Sequence, residues 1–248
     1  MSASGDYILE TKNLVKEFKG FVAVNDVGLK VRRGSIHALI GPNGAGKTTC
    51  FNLLTKFLVP TRGSIHFNGT DITSEQPAQI ARRGIIRSFQ ISAVFPHLTV
   101  LENAIKAPMV VKKMTRSQAE AIAVPLLEKV GLKAQLLSYP SQISGGQQQR
   151  AAIARALAME PEAILFDEPT SSLDPEMVKE VLNVMKGLAH TGITMVVVTH
   201  EMGFARKVAH RVVFMDRGEI VEDAPKEEFF GKPRSERAQL FLSKILQH

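Results

Sequence analysis

A glycine-rich loop carries the first residues that could do chemistry. The loop runs from Gly41 to Thr48 with the complete pattern G-x-x-x-x-G-K-S/T. The apolar run Ile36–Ile40 before it predicts a buried strand, and Thr49–Leu54 after it predicts the start of a helix. In that setting the glycines let backbone N–H groups turn toward an anion, and the helix N-terminus adds partial positive charge. The context favours a phosphate site over a flexible glycine-rich turn.

Four side chains suit a bound nucleotide. Lys47 can reach the β- and γ-phosphates, and the Thr48 hydroxyl is placed to ligate Mg²⁺. Asp167 and Glu168 follow the apolar run Ala163–Phe166 directly, and open α/β sheets bind ligands at the carboxyl ends of their strands. Asp167 can hold the Mg²⁺ shell, while Glu168 can polarise the water that attacks the γ-phosphate. The alternative is that these two acids merely end a strand. The presence of the glycine loop in the same chain disfavours it.

Two other features are weaker when taken singly. Ser144–Gln147 precedes the helix-forming run Gln148–Ala158, and a Ser-Gly-Gly turn at a helix start is a second anion-binding end. The alternative is a plain glycine-rich cap. His200 follows the strand predicted at Ile193–Val198, again at a carboxyl end, although a lone histidine is more often structural.

Gln90 and Phe18 complete the candidate set. Gln90 could reach Mg²⁺ through its side-chain carbonyl, although by itself it is unremarkable. Phe18 lies upstream of the loop and could stack on adenine, whereas a core position is the default for any single aromatic residue.

Strands alternating with helices predict a mainly parallel sheet. The stretch from about Phe95 to Ala158 has helical spacing and is interpreted as a mostly helical insertion. Pro175 suits the first turn of a later helix, with Asp174 as its N-cap. In that helix one apolar stripe predicts only core packing: Met177, Val181, Val184, Met185 and Leu188.

The net charge of +7 has no obvious single partner. The basic clusters are short, and they are not interleaved with aromatic residues, which disfavours a nucleic-acid groove. We therefore expect solvated faces at Arg32-Arg33, at Arg82-Arg83 with Arg87, and at Lys112-Lys113 with Arg116.

The single cysteine, Cys50, excludes an internal disulfide and fits a reducing compartment. Met1–Gly20 has no apolar core typical of a signal peptide, and no apolar run approaches the roughly 18 residues that span a bilayer. The expectation is a chain that is soluble on its own and needs a partner for any membrane role.

Taken together, the motifs resemble those of an ABC-type ATPase, the nucleotide-binding subunit of an ABC transporter. The resemblance covers nearly the whole chain. In chain order it rests on Phe18 (A-loop), Gly41–Thr48 (Walker A), Gln90 (Q-loop), Ile143–Gln147 (signature), Asp167 with Glu168 (Walker B), Ser171–Asp174 (D-loop) and His200 (switch). Three departures remove no catalytic group: Ile143 for the usual Leu, Phe18 for the commoner Tyr, and Ser172 for the usual Ala.

The resemblance implies an α/β P-loop NTPase fold with a RecA-like core, an antiparallel β subdomain and a helical subdomain. The whole chain, 1–248, is then a single ABC ATPase domain. Residues 1–90 and 160–248 form the catalytic α/β core with the N-terminal β subdomain, and 91–159 form the helical signature subdomain.

The resemblance also implies roles for individual residues, with ATP and Mg²⁺ as cofactors. The catalytic residues are Glu168, His200, Lys47 and Gln90, and the metal is held by Thr48, Gln90 and Asp167. ATP is bound by Phe18, Val24, Asn43, Gly44, Ala45, Gly46, Lys47, Thr48 and Thr49. The signature residues Ser144, Gly145, Gly146 and Gln147 act on the nucleotide of a second chain, with Asp174 in the D-loop.

The implied partners are a second ABC ATPase subunit in a head-to-tail dimer, transmembrane permease subunits, and indirectly a solute-binding protein. The dimer holds two ATP molecules, each between one chain's Walker A and the other's signature. Nucleic acid is not an expected partner. The implied location is peripheral, at the cytoplasmic face of the inner (plasma) membrane.

The subfamily signal is split. Phe21–Asn103 resembles branched-chain amino-acid importer ATPases, whereas the chain from about Lys106 onward resembles polar amino-acid importer ATPases. A natural mosaic and an engineered chimera would both explain a change near Asn103–Pro108. The predicted function is ATP hydrolysis that drives amino-acid import. The alternatives are a soluble ABC ATPase acting on ribosomes or DNA, a non-enzymatic module, and a chimera without a natural partner.

Overall fold

A computed structural model describes residues 6–88, 94–171 and 173–246. The chain forms two compact units, one of Met1–Ile80 with Gly192–His248 and the other of Ala81–Thr191. The finer subdomain bounds expected from the motifs, with a helical part at 91–159, stay a prediction. Within the described residues, no helix is both long and apolar enough to cross a membrane.

Strands dominate the first part of the chain. The elements there are β1 (Tyr7–Phe18), β2 (Phe21–Val27), β3 (Lys30–Arg32), β4 (Ile36–Ile40), α1 (Lys47–Leu54), β5 (Arg62–Phe67), β6 (Thr70–Asp71) and α2 (Pro77–Arg82). Both elements predicted around the glycine loop are present, as β4 and α1.

Helices dominate the middle of the chain, as the spacing predicts. The elements there are β7 (Ile85–Ser88), α3 (Val100–Val111), α4 (Arg116–Lys129), α5 (Gly145–Leu157), β8 (Ala163–Asp167) and α6 (Pro175–Ala189), with short 3₁₀ turns at Lys133–Gln135 and Pro140–Gln142. Alternation then resumes with β9 (Thr194–Val198), α7 (Met202–Val208), β10 (Arg211–Asp216), β11 (Glu219–Pro225), α8 (Lys226–Gly231) and α9 (Glu236–Leu246).

The first unit contains an antiparallel sheet of order β2-β1-β5-β6, with β3 also paired to β1. Strands β5 and β6 are joined by the two residues Asn68 and Gly69, both with positive φ (50° and 75°). Asn-Gly suits such a turn because both residues tolerate positive φ and the resulting twist matches that of the strands. Asn68 and Gly69 therefore close a β-hairpin between β5 and β6.

The first unit also holds the parallel strands that carry the glycine loop. Strand β4 pairs in parallel with β10 on one side and β9 on the other, and all five of its residues are buried. A strand covered on both faces reads as a continuous apolar run, which is how Ile36–Ile40 reads. One core cluster behind this sheet contains Ala38, Ile40, Met202, Ala205, Ala209, Val212, Phe214, Ala224, Phe229, Ala238 and Leu242.

In the second unit, helices α3, α4 and α5 pack around a small apolar core of Val100, Ala104, Ile105, Ala119, Ala123, Leu127, Val130, Leu132, Ala151 and Ala154. Helices α3 and α4 each begin with a reciprocal capping box, at Thr99 with Glu102 and at Thr115 with Gln118. Such boxes satisfy N–H groups that a helix start leaves without partners. In the same unit β7 pairs in parallel with β8.

A histidine lies inside the central strand of the first unit. His37 is fully buried, and its Nε2 is 3.1 Å from the Ser35 hydroxyl. Burial, and then the positive charges of Arg211, His210 and Arg32, lower the pKa of His37 from 6.5 to about 4. The folded protein therefore holds this imidazole neutral at pH values where the unfolded chain protonates it.

This difference predicts a loss of stability in acid. Unfolding takes up a proton at His37 between about pH 6.5 and pH 4, so the stabilisation is present above that window and declines as the pH falls through it. We expect the free energy of unfolding of wild type, relative to His37→Gln, to decrease by about 3 kcal/mol across the window. Urea unfolding of both proteins at several pH values measures it. A difference independent of pH would contradict the assignment.

Candidate functional site

The glycine loop is pressed against neighbouring backbone. A Cβ at Gly41 would lie 2.0 Å from the carbonyl oxygen of Met215, and one at Gly46 would lie 2.5 Å from that of Ala23. Gly46 also has φ 94° and forms the N-cap of α1. No side chain fits at either position, so both glycines are required by close approach rather than by flexibility.

Lys47 begins α1 and folds back over the loop. Its side chain is buried, and Nζ donates hydrogen bonds to the carbonyl oxygens of Gly41 at 2.8 Å and Pro42 at 2.9 Å. Next to it, Thr48 is exposed. An ammonium group beside the N-terminus of a helix concentrates positive charge at this point, which suits a polyphosphate.

His200 lies at the same sheet edge as the loop. Leu39 of β4 is in register with Val198 of β9, and the N–H of Thr199 donates to the carbonyl oxygen of Leu39 at 3.4 Å. Gly41 follows Leu39 by two residues, and His200 follows its partner Val198 by two residues. The His200 side chain is exposed, so the topology brings it to the edge where the loop begins.

The hairpin of β1 and β2 belongs to the same unit. Phe18 is 42% exposed, and the Nζ of Lys16 is 5.0 Å from its ring centroid. Phe18 is thus available at the surface and is not a core residue. Val24, which was also expected to contact ATP, is fully buried. Its neighbour Ala23 is the residue whose carbonyl oxygen faces Gly46.

In the second unit, Asp167 ends β8 as a buried carboxylate. Arg87 Nη2 donates to Asp167 Oδ2 at 2.6 Å, while Asp167 Oδ1 is buried and accepts no hydrogen bond from the described part of the chain. Buried carboxylate oxygens without a donor are costly, and hard cations such as Mg²⁺ prefer oxygen ligands. Asp167 thus presents one buried oxygen of the kind that such cations prefer.

Arg87 corrects an expectation from the sequence. The basic cluster Arg82-Arg83 with Arg87 was expected to be solvated, but the Arg87 side chain is only 7% exposed and forms the ion pair with Asp167. Strands β7 and β8 are parallel neighbours, and Arg87 pairs with Leu165, two residues before Asp167. Charge clustering along the chain gives no signal for that long-range pairing.

Glu168 has an unusual backbone. Its φ is 45°, and its carbonyl oxygen accepts hydrogen bonds from the Ser171 N–H at 3.3 Å and the Ser171 hydroxyl at 3.2 Å. A residue other than glycine in the left-handed region costs about 1–3 kcal/mol and persists where the surroundings enforce it. Such strain is often found at functional sites, and the catalytic role of Glu168 stays a prediction.

The signature segment starts α5. The Ser144 hydroxyl accepts a hydrogen bond from the Gln147 N–H at 3.2 Å, and Gln147 Oε1 accepts one from the Ser144 N–H at 2.9 Å. The buried Gly146 N–H donates to the sulfur of Met177 at 3.3 Å. Thioether sulfur is a weak acceptor, so an anion would displace it readily. Sequence reasoning assigned Met177 only to packing and missed this contact.

Asp174 occupies the predicted N-cap position of α6, with Pro175 in the first turn, but the Asp174 side chain makes no capping hydrogen bond. Gln90, and Ser172 of the D-loop, lie outside the described residues, so their roles stay predictions.

A phosphate-type glycine loop between a buried parallel strand and a helix defines the P-loop class of α/β proteins. The model of the family described as "ABC transporter" matches residues 24–171. The chain belongs to the ABC transporter family. This confirms the predicted fold class and the predicted class of enzyme, an ATPase.

Relatives cover nearly the whole chain. The arginine transport ATP-binding protein ArtM of Bacillus subtilis is 51% identical over 243 residues, which are 96% of this chain and 100% of that protein. The general L-amino acid transport ATP-binding protein AapP of Rhizobium johnstonii is 48% identical over 239 residues, covering 96% and 93%. Similarity over this length gives no support to a chimera.

A solved structure is similar as well. It is a dimeric post-hydrolysis state of the ATP-binding cassette MJ0796 bound to ADP and Pi. The TM-score is 0.79 with 30% identity, over 88% of this chain and 98% of that one.

The two kinds of glycine in the loop predict different substitution costs. Gly41→Ala would drive a methyl group into the Met215 carbonyl oxygen, and we expect a loss of about 3 kcal/mol or more of stability. The matched control is Gly44→Ala, because Gly44 has φ 79° but open space around its Cβ position. We expect about 1 kcal/mol there from backbone strain alone. Thermal unfolding of the nucleotide-free proteins measures both, and equal losses would refute the steric argument.

Proposed function

We propose that this chain hydrolyses ATP to power the import of amino acids through separate transmembrane subunits. The observation that carries the ATPase part is the buried Lys47 ammonium at the start of α1, beside a loop whose closest contacts only glycine permits. The solute class is supported by the relatives described above, whose names are those of amino-acid transport ATP-binding proteins.

In the proposed mechanism, water attacks the γ-phosphate in line with the departing ADP. Lys47 binds the β- and γ-phosphates, and Glu168 orients the attacking water and accepts its proton. His200 stabilises the charge that develops on the γ-phosphoryl group. Backbone N–H groups of Asn43, Gly44, Ala45 and Gly46 surround the phosphates, with Thr49 beside them.

Mg²⁺ is the proposed metal cofactor. Thr48 and Asp167 would hold it, with Gln90 contributing its side-chain carbonyl. The exposed Thr48 hydroxyl and the buried Asp167 Oδ1 are both hard oxygen donors, which suits this ion. When bound, Mg²⁺ neutralises part of the phosphate charge.

Adenine stacks on Phe18 in this proposal, which agrees with the exposure of that ring. Val24, a fully buried residue of β2 on the same hairpin, is the other member of this part of the proposed ATP site.

The proposed assembly is a head-to-tail dimer with a second ABC ATPase subunit. Ser144, Gly145, Gly146 and Gln147 act on the nucleotide bound by the other chain, with Asp174 in the adjoining D-loop. The similar cassette MJ0796 is dimeric, which supports a dimer of this chain. The dimer engages a transmembrane permease at the cytoplasmic face of the membrane, peripherally, and receives the signal of a solute-binding protein indirectly.

Separating binding from turnover tests the mechanism. Glu168→Gln keeps the shape of the side chain but accepts a proton poorly, so we expect turnover to fall by about 10²-fold or more with ATP affinity unchanged. Lys47→Ala removes the main protein cation of the loop and should lose ATP affinity itself. Steady-state hydrolysis and nucleotide titration measure the two effects. Normal turnover by Glu168→Gln would remove that residue from its role.

Mixing two inactive variants tests action between chains. Ser144→Arg damages the signature and Lys47→Ala damages the loop, so each homodimer has two defective sites. A mixed dimer regains one intact site, and mixing should restore part of the hydrolysis. A second readout is a bifunctional thiol cross-link from Asn43→Cys to Ser141→Cys, placed on separate chains, with ATP present.

The natural thiol does not interfere with this cross-link, because Cys50 is buried and burial raises its pKa to about 12. When the two cysteines are on different chains, the expected product is a covalent dimer. When both are placed on one chain, products found solely within single chains would refute the head-to-tail model.

A further inference from the structure

Arg87 is a buried cation that the mechanism above does not use. It lies in β7 opposite Leu165 of β8, two residues before Asp167. From there its side chain reaches forward to the carboxylate, with Nη2 at 2.6 Å from Oδ2. The two side chains are 7% and 3% exposed, so this contact is shielded from solvent on both sides.

The contact is one-sided at the carboxylate. Oδ2 is held by Arg87, whereas Oδ1 is equally buried and has no donor within the described residues. A carboxylate fixed through one oxygen cannot rotate freely, so its second oxygen keeps a fixed direction. A buried oxygen left without a donor costs free energy that an incoming cation would recover.

We propose that Arg87 is a positioning residue that fixes Asp167 through Oδ2 and thereby keeps Oδ1 directed to the Mg²⁺ shell of the bound nucleotide. The inference rests on the proposed function, in which Asp167 serves Mg²⁺. Arg87 itself touches neither the metal nor the phosphates in this scheme. Residues that orient a ligand from outside the coordination shell commonly contribute 10–100-fold to metal affinity, on the order of what is expected here.

Charge alone makes the opposite prediction. A guanidinium near a divalent cation repels it, so if repulsion dominated, removing Arg87 would strengthen Mg²⁺ binding. Orientation predicts weaker binding instead. Lysine separates the effects, because it keeps the positive charge but lacks the planar fork that matches a carboxylate.

The experiment measures the Mg²⁺ concentration that half-saturates binding of a non-hydrolysable ATP analogue to the full chain. For Arg87→Met we expect this half-saturating Mg²⁺ concentration to rise by roughly 10–100-fold. The affinity for the analogue in EDTA, without Mg²⁺, should be unchanged. Arg87→Lys should fall between Arg87→Met and wild type. The matched control is Arg150→Met, which breaks another ion pair of the same unit, to Glu180 at 3.1 Å, and should leave the Mg²⁺ requirement unchanged.

An unchanged or lowered Mg²⁺ requirement in Arg87→Met overturns the inference. If that variant does not fold, as judged by its thermal transition, Arg87→Lys decides by the same measurement: a raised requirement supports the inference and an unchanged one overturns it. Asp167→Asn separates this outcome from failure of the proposed function. If Asp167→Asn leaves the Mg²⁺ requirement unchanged, Asp167 does not serve the metal and the proposed mechanism itself is wrong.

Discussion

The close approach of Gly41 to the carbonyl oxygen of Met215 is the constraint on which the phosphate loop depends. It fixes where the chain leaves β4, and two backbone hydrogen bonds continue the support. The N–H of Gly218 donates to Ala45 at 3.1 Å, and the N–H of Asn25 donates to Gly218 at 2.8 Å. The loop is therefore braced by main chain from two neighbouring hairpins. Its geometry depends on strand positions, on glycine and on the two hydrogen bonds from Lys47 Nζ.

In the second unit a side chain, and not the backbone, holds the candidate site residue in place. There the carboxylate of Asp167 is buried, and within the described ranges the side chain of Arg87 compensates it. Removing one partner of a buried ion pair leaves an uncompensated charge, which typically costs about 3–5 kcal/mol. The loop thus depends mainly on close backbone contacts that only glycine permits, whereas the carboxylate depends on the side chain of Arg87.

Local sequence predicted the features that short-range physics controls. The loop with its strand and helix, and the position of Asp174 before Pro175, follow from backbone preferences of a few consecutive residues. The contact between Arg87 and Asp167 joins residues 80 positions apart. It depends on the register of β7 against β8, which no local pattern encodes. The bond from Gly146 to Met177 needs the packing of α5 against α6 and was missed for the same reason.

The left-handed backbone at Glu168 makes stability and the proposed catalytic role favour different residues at this position. Glycine and asparagine adopt that conformation with less strain, so either would relieve part of the cost that glutamate bears there. Neither can supply a carboxylate to a water molecule. A library of variants screened for heat resistance alone would therefore drift toward glycine or asparagine at position 168. In the proposed mechanism, only a screen that also demands turnover keeps the acid.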